Sequence, residues 1–180
     1  LKSGGEASLE ARLVRADAFL RGAMGSSPSA GNRPSGPRPT NFYARRPTTR
    51  MGVEWEWRKA FYDAWQEEAR GDAARPGRTE LLRVLSGETP VFIQAWATQD
   101  IRTAVFLAEE MAAEGMGTMR LIIDAGAEAW REPALLVRSK AAVCLPPLPA
   151  TGRTTENAFM SLDTAAKLNA VGVPVALSAH

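Results

Sequence analysis

The second half of the chain alternates short apolar runs with amphipathic segments. Four apolar runs have the length and composition of buried strands: "PVFIQAWA" (90–97), "TMRLIIDAG" (118–126), "AAVCLPP" (141–147) and "VPVALSA" (173–179). Three segments of helical spacing separate them: 98–115, 127–140 with an interruption near Pro133, and 161–172. This order predicts repeated βαβ units and a parallel sheet that is buried on both faces.

Two α/β architectures accommodate these units, a doubly wound open sheet or part of a (β/α)8 TIM barrel. No strand is followed by GxGxxG or GxxxxGK[ST], so the pattern does not support nucleotide binding. In both architectures the chemistry lies at the carboxyl ends of the strands. The candidate segments are therefore 94–98, 124–128, 145–149 and 178–180.

The first half of the chain has a different pattern. Residues 53–70 predict a helix in which Trp57, Phe61, Ala64 and Trp65 pack against the core, and 78–88 predict a short helix stopped by Gly87. Residues 6–24 have weak helical spacing, and the Gly-, Ser- and Pro-rich stretch 25–40 predicts a loop or linker. We expect a flexible basic segment over 1–40 and one domain over 41–180.

Charge is unevenly distributed. Residues 1–50 contain nine Lys and Arg against three Asp and Glu, whereas residues 51–180 contain 13 against 17. A basic arm of this kind can contact an acidic partner, but no aromatic residues interleave with its arginines before Phe42 and Tyr43, so we do not expect nucleic-acid binding. No apolar run has the length of a membrane span.

The single cysteine, Cys144, excludes an internal disulfide and a Cys-rich metal site, and its apolar surroundings suggest a small packing residue. The chain does not begin with Met and shows no signal peptide, so we interpret it as a fragment whose compartment the sequence does not assign.

Several stretches, in their order and spacing, resemble the imidazolonepropionase-like branch of the amidohydrolase superfamily over about residues 41–180. They are "RPTTRMG" (46–52), "WRKAFYDAW" (57–65), "GETPVFIQAWATQDIRTAVFLAEEM" (87–111), "RLIIDAGAEAW" (120–130) and "NAVGVPVALSAH" (169–180). The resemblance implies a metal-dependent (β/α)8 barrel that hydrolyses non-peptide C–N bonds in small amides. This chain would then carry about the second half of such a barrel.

The departures from the family pattern fall on its chemistry. Where this branch usually has "PVxxHAHxxxDI", Gln94 and Trp96 replace the two histidines. Where it has "HGxE", Ala125 replaces the histidine and Glu128 is kept, and the terminal "GVPVALGTD" becomes "GVPVALSAH", which puts His180 in the place of the aspartate. The resemblance thus implies a substrate pocket with Gln94, Trp96 and Glu128.

The catalytic candidates are His180 and Asp124. A neutral imidazole can act as a general base, but His180 would need a substrate and a positioning group. Asp124 at its strand end can be a ligand or a base, although capping the next helix or pairing with an arginine is the commoner role of such a residue.

The family uses a divalent metal such as zinc, but we expect no metal cofactor in this chain. Gln and Trp are poor ligands for zinc, Ala is none, and the chain has one histidine. A carboxylate-only site built from Asp100, Asp124 and Glu128 remains an alternative.

Three functional hypotheses follow. The chain is a degenerate amidohydrolase, a pseudoenzyme that acts as a subunit or partner. Alternatively, it is part of an active amidohydrolase for a small amide-type substrate, with metal ligands supplied by an upstream half. As a third reading, it is a non-enzymatic module that binds a partner through the barrel edge or the basic arm. Because a half barrel exposes strand edges, we expect another chain to complete the barrel, or an oligomer.

Overall fold

A computed structural model describes residues 17–30, 32, 46–147 and 155–178 of the chain. Their five strands form one parallel sheet: β1 (Leu20–Ala23), β2 (Val91–Ala95), β3 (Leu121–Ala125), β4 (Ala142–Leu145) and β5 (Val175–Leu177). The helices are α1 (Ser27–Ala30), α2 (Arg50–Arg70), α3 (Arg78–Leu85), α4 (Thr98–Ala113), α5 (Pro133–Ser139) and α6 (Thr164–Ala170), with a 3-10 turn at Ala129–Arg131.

The strand order decides between the two architectures. Strands that follow one another in the chain pair in parallel, in the order β1-β2-β3-β4-β5. A doubly wound sheet contains a switch point where this order reverses, whereas a (β/α)8 barrel keeps it throughout. The α/β class is confirmed, and the sheet is that of a partial TIM-barrel-like fold.

The two faces of the sheet differ in burial. Along β2, Val91, Ile93 and Ala95 are fully buried and join the core with the helices, while Phe92 and Gln94 are half-buried. Strands β3 and β4 show the same alternation, because the side chains of a strand point to opposite faces in turn. We call the less buried side the inner face; Arg21, Phe92, Gln94, Ile122, Asp124 and Cys144 belong to it by their register.

The helix α2 follows the prediction closely. The Thr49 side chain accepts a hydrogen bond from the Gly52 backbone N–H at 3.0 Å, which caps its start, and Gly71 ends it in the left-handed region at φ 71°. Phe61 and Ala64 are fully buried as expected. Trp65 is 38% exposed, so it packs less fully than predicted.

Strand β1 and helix α1 correct the prediction for the N-terminal part. The weak helical pattern over 6–24 gives way to a strand at Leu20–Ala23, and the expected linker contains α1. The Leu20 N–H donates to the Pro90 carbonyl at 3.0 Å and the Met24 N–H to the Gln94 carbonyl at 2.8 Å. Pairing with β2 thus overrides local helical preference. Residues 1–16, 31 and 33–45 lie outside the described residues, so the expected flexible segment stays a prediction there.

The remaining elements agree with the sequence to within a few residues. The predicted interruption near Pro133 is confirmed, since the 3-10 turn ends at Arg131 and α5 begins at Pro133. In the described ranges no helix has the length and apolarity to cross a membrane.

Gly22 of β1 allows α2 to approach the sheet. A Cβ atom at this position would lie 2.3 Å from Cζ2 of Trp57, and the Trp57 Nε1–H donates to the Ala23 carbonyl at 3.1 Å. We therefore predict that Gly22→Ala lowers the free energy of unfolding by about 1–3 kcal/mol through overpacking. Denaturant unfolding monitored by far-UV circular dichroism measures this change.

The matched control is the double variant Gly22→Ala/Trp57→Phe. Phenylalanine lacks the indole atoms that the new methyl group meets, so the double variant should lose less stability than the sum of the two single variants. Additive losses would contradict the proposed contact.

Candidate functional site

Strand register brings three polar side chains into one row near the carboxyl ends of the strands. Gln94 lies opposite Asp124, and Asp124 lies opposite Cys144, all on the inner face. Arg21 reaches this row from β1, and its Nη2 lies 2.6 Å from Asp124 Oδ2. We call these four residues the inner polar row.

The Arg21–Asp124 ion pair dominates the inner polar row. The Asp124 side chain is 13% exposed and that of Arg21 is 59% exposed, so the carboxylate is largely desolvated while the guanidinium stays accessible. Asp124 Oδ1 also accepts the backbone N–H of Ala125 at 3.1 Å. Asp124 therefore has the arginine partner that the sequence suggested, and its catalytic role stays a prediction. The sequence gives no signal for Arg21 as this partner, because the pattern over 6–24 predicts a helix.

Cys144 is half-buried beside this ion pair. Burial raises the pKa of its thiol, the charge of Asp124 raises this pKa further, and the charge of Arg21 lowers it. A raised pKa keeps the sulfur in the weakly nucleophilic thiol form. The site thus disfavours Cys144 as a nucleophile, in agreement with the packing role suggested by the sequence.

The backbone turns sharply directly after the inner polar row. Ala125 has a φ of 75°, and Gly126 follows with a φ of 43°. A left-handed conformation is costly for a residue with a Cβ, and such strain is concentrated at functional sites. Gly126 is also spatially restricted, because a Cβ there would lie 2.7 Å from Cγ1 of Val143. Ala125 itself is buried and has no polar side-chain atom.

The Glu128 side chain does not join the inner polar row and instead contacts the start of α4. Its Oε2 accepts hydrogen bonds from the Thr98 backbone N–H at 3.1 Å and from the Thr98 hydroxyl at 2.6 Å. Arg131 Nη1 lies 3.6 Å from the same oxygen. The residue before α4, Ala97, has no side chain that can cap the helix. Glu128, which is 6% exposed, thus provides the cap instead.

Glu128 also lines a cavity of about 580 Å³ over the start of α4, together with Arg50, Arg102 and Arg131. The other predicted pocket residues lie elsewhere. Gln94 lies on the inner face, and the Trp96 carbonyl accepts the Glu128 N–H at 3.0 Å while its ring is half-buried. The structure thus brings Gln94 together with Asp124 and separates Glu128 from them. His180 lies outside the described residues.

The donor atoms in the described part of the inner face do not fit a divalent metal. Within the described ranges, no three His, Cys, Asp or Glu side chains are grouped so that they could hold a metal ion. The alternative carboxylate-only site is not assembled, because Asp100 is bound by Arg50, Asp124 by Arg21, and Glu128 by Thr98. A guanidinium, and not a group of neutral imidazoles, faces Asp124.

The charges around Cys144 yield a prediction for its reactivity. Asp124→Asn should lower the apparent thiol pKa because a nearby negative charge is lost, and Arg21→Gln should raise it because a positive charge is lost. At a fixed neutral pH the rates should change by roughly two- to fivefold in opposite directions. The rate of maleimide labelling as a function of pH measures both shifts, since Cys144 is the single cysteine.

A pH–rate profile separates a change in pKa from a change in access to the sulfur. Arg138→Gln serves as the control, since it removes an exposed arginine that pairs with Glu109 on the helical side. Shifts of the same sign in Asp124→Asn and Arg21→Gln would contradict the assigned electrostatics.

The fold of the chain is similar to that of a solved structure. The chain is similar to the crystal structure of an amidohydrolase from Thermotoga maritima MSB8, with a TM-score of 0.77 and 26% sequence identity. The match covers 93% of this chain and 43% of that structure, so this chain spans less than half of its length. No family model and no curated protein matches the chain. The chain therefore has a partial barrel fold that is similar to that of an amidohydrolase.

Proposed function

We propose that this chain is one part of an amidohydrolase-like barrel and is catalytically inactive by itself. The observation that supports this most directly is the Arg21–Asp124 ion pair on the inner face, at 2.6 Å. By the resemblance, the positions around Asp124 would hold a metal. In this chain the partner of Asp124 is an arginine instead. The imidazolonepropionase-like branch and a small amide-type substrate for the complete protein belong to the same proposal.

The chemistry of amide hydrolysis explains why these substitutions matter. A bound divalent metal polarises the carbonyl and lowers the pKa of an attacking water. By the resemblance, its ligands would come from positions 94, 96 and 125, where this chain has Gln, Trp and Ala. None of these three side chains replaces an imidazole, so the described residues provide a framework and not a reaction centre.

Metal content tests this proposal. After incubation of the purified chain with zinc and exhaustive dialysis, we predict that elemental mass spectrometry finds no near-stoichiometric zinc, because the inner face lacks a grouped donor set. A zinc-finger peptide carried through the same dialysis serves as the positive control. Near-stoichiometric zinc that is lost in Asp124→Asn, Glu128→Gln or His180→Ala would overturn the proposal and identify those residues as ligands.

A second role is favoured by the uncovered edges of the sheet. Within the described ranges, β1 and β5 each pair with one strand only. Leu177 on β5 is 75% exposed, and Phe19, whose ring is tilted against that of Phe92 with centroids 4.3 Å apart, is 47% exposed. Edge strands and apolar surface of this kind favour association. We infer that strands from another chain, or from the remainder of a longer protein, close the barrel over the inner face.

This inference predicts self-association of the isolated 180-residue chain. Size-exclusion chromatography with light scattering should show dimers or larger species, and Leu177→Lys should shift the population toward monomer because it places a charge on the open edge. Val137→Lys, at an exposed position of α5 away from the sheet edges, should leave the distribution unchanged. A sharp wild-type monomer peak with cooperative unfolding would contradict this role.

A further inference from the structure

A second charged cluster joins four segments at the carboxyl-end side of the sheet. Arg50 begins α2, Asp100 lies in the first turn of α4, and Glu156 precedes α6, while Ser26 and Ser27 follow β1. The Arg50 Nη1–H donates to Asp100 Oδ1 at 3.2 Å, and its Nη2–H donates to Glu156 Oε1 at 3.0 Å. We call these five residues the rim cluster.

Glu156 is well supplied with hydrogen-bond donors. Its Oε1 accepts from Arg50, from the Ser26 backbone N–H at 3.0 Å and from the Ser26 hydroxyl, and its Oε2 accepts from the Ser27 hydroxyl at 3.2 Å. Burial opposes ionisation, but the hydrogen bonds from Ser26 and Ser27 and the charge of Arg50 outweigh it and lower the pKa of Glu156. Glu156 therefore carries the negative charge of the cluster.

Asp100 has the opposite environment. Its side chain is 6% exposed, and among the described residues no hydrogen-bond partner reaches its Oδ2. Burial raises the pKa of Asp100, Arg50 lowers it, and the charge of Glu156 raises it again. Two adjacent carboxyl groups thus have pKa values displaced in opposite directions, as in pairs that divide into an acid and a base.

Gly25 closes the space beside the unpartnered oxygen. This residue has a φ of 91°, and a Cβ built on it would lie 2.9 Å from Asp100 Oδ2 and 3.4 Å from Glu156 Oε1. The backbone of Gly25 therefore lies against both carboxyl groups, and the space next to Oδ2 has no room for a side chain. The closeness of the Gly25 backbone thus excludes a bulky group on this side of Oδ2.

The net charge of the rim cluster indicates how the unpartnered oxygen of Asp100 is compensated. One guanidinium faces two carboxyl groups, so with both ionised the cluster would carry one uncompensated negative charge, and such a charge is costly to desolvate. Besides Arg50 and Glu156, the groups that lie against Asp100 in the described part of the chain are the backbones of Gly25 and Ala97, which are uncharged. A metal ion would need further ligands, and among the residues that the structure describes no third acid is grouped with these two.

We propose that the folded chain holds a proton on Asp100 Oδ2 that an exposed aspartate would already have released. The proton comes from solvent on folding and returns to it on ionisation, so that the rim cluster changes between net charge zero and minus one. In its neutral form, Asp100 presents an O–H donor on the side where Glu156 Oε1 lies. The cluster then joins the loop after β1 to α2, α4 and the segment before α6 without an unpaired charge.

The proposal makes the rim contact sensitive to pH with a definite sign. Because the pKa of Asp100 is raised by folding, its contribution to stability is present at low pH and is lost as the pH rises from the unfolded to the folded pKa. Glu156 acts in the opposite direction: its lowered pKa contributes stability that is lost as the pH falls through the folded pKa. Rising pH should therefore loosen this junction through repulsion between the two carboxylates.

Isotope-edited infrared spectroscopy of the whole chain, labelled with 13C at the aspartate carboxyl carbon, tests the proposal directly. At a pH of about 3.9, the typical pKa of an exposed aspartate, the carbonyl band of a protonated carboxyl group in the wild-type minus Asp100→Asn difference spectrum should keep more than half of its low-pH intensity. This band should disappear as the pH is raised. A difference spectrum with carboxylate bands alone would overturn the proposal.

Thermal unfolding across the same pH range provides an independent readout. Asp100→Asn keeps the shape of the neutral acid, so the Tm of the wild type should fall relative to this variant as the pH rises. Asp63→Asn is the matched control, because Asp63 is paired with Lys59 on the solvent side of α2, and its curve should parallel that of the wild type. A constant Tm difference between wild type and Asp100→Asn would overturn the proposal. Replacement of the protonated band by carboxylate on addition of sodium or magnesium at constant ionic strength would overturn it also, in favour of a bound cation.

Discussion

The parallel register of the five strands is the constraint on which the rest of the described structure depends. Backbone hydrogen bonds align Gln94, Asp124 and Cys144 at one level of the sheet, and the pairing of β1 with β2 brings Arg21 within reach of them. A shift of one residue in any strand would turn these side chains to the helical side. The contact between Gly22 and Trp57 fixes α2 against β1, and thereby supports the strand that carries Arg21.

Electrostatics then determines what the inner face can do. The guanidinium of Arg21 neutralises Asp124, and the raised pKa of the Cys144 thiol keeps the neighbouring sulfur protonated. A sheet with an amidohydrolase-like fold thus carries an ion pair on its inner face. The strained backbone at Ala125 directly beyond this pair is a feature expected of a functional site, although its side chain offers no chemistry. This combination supports the proposal of a chain that is inactive alone.

The acidic side chains outside the inner face connect loops and helix starts to one another. Glu128 caps α4 through Thr98, and the rim cluster joins the loop after β1 to three later segments of the chain. In both cases a carboxyl group from one loop satisfies donors of another, which replaces solvent at the carboxyl ends of the strands with protein contacts. The unpartnered oxygen of Asp100 is the one point where this compensation is incomplete among the described acids, and it is where we place the proton.

The sequence by itself determined the α/β class, four of the five strands and all the helices from α2 onward, because long apolar runs and helical periodicity are local signals. It also suggested an arginine partner for Asp124. Only the tertiary structure decided that β1 is a strand, because its hydrogen bonds come from β2, about 70 residues later in the chain. The identity of that partner as Arg21, the capping role of Glu128 and the grouping of Arg50 with Asp100 and Glu156 likewise depend on contacts between distant segments. No periodicity encodes such contacts, since they arise when the sheet and its helices pack.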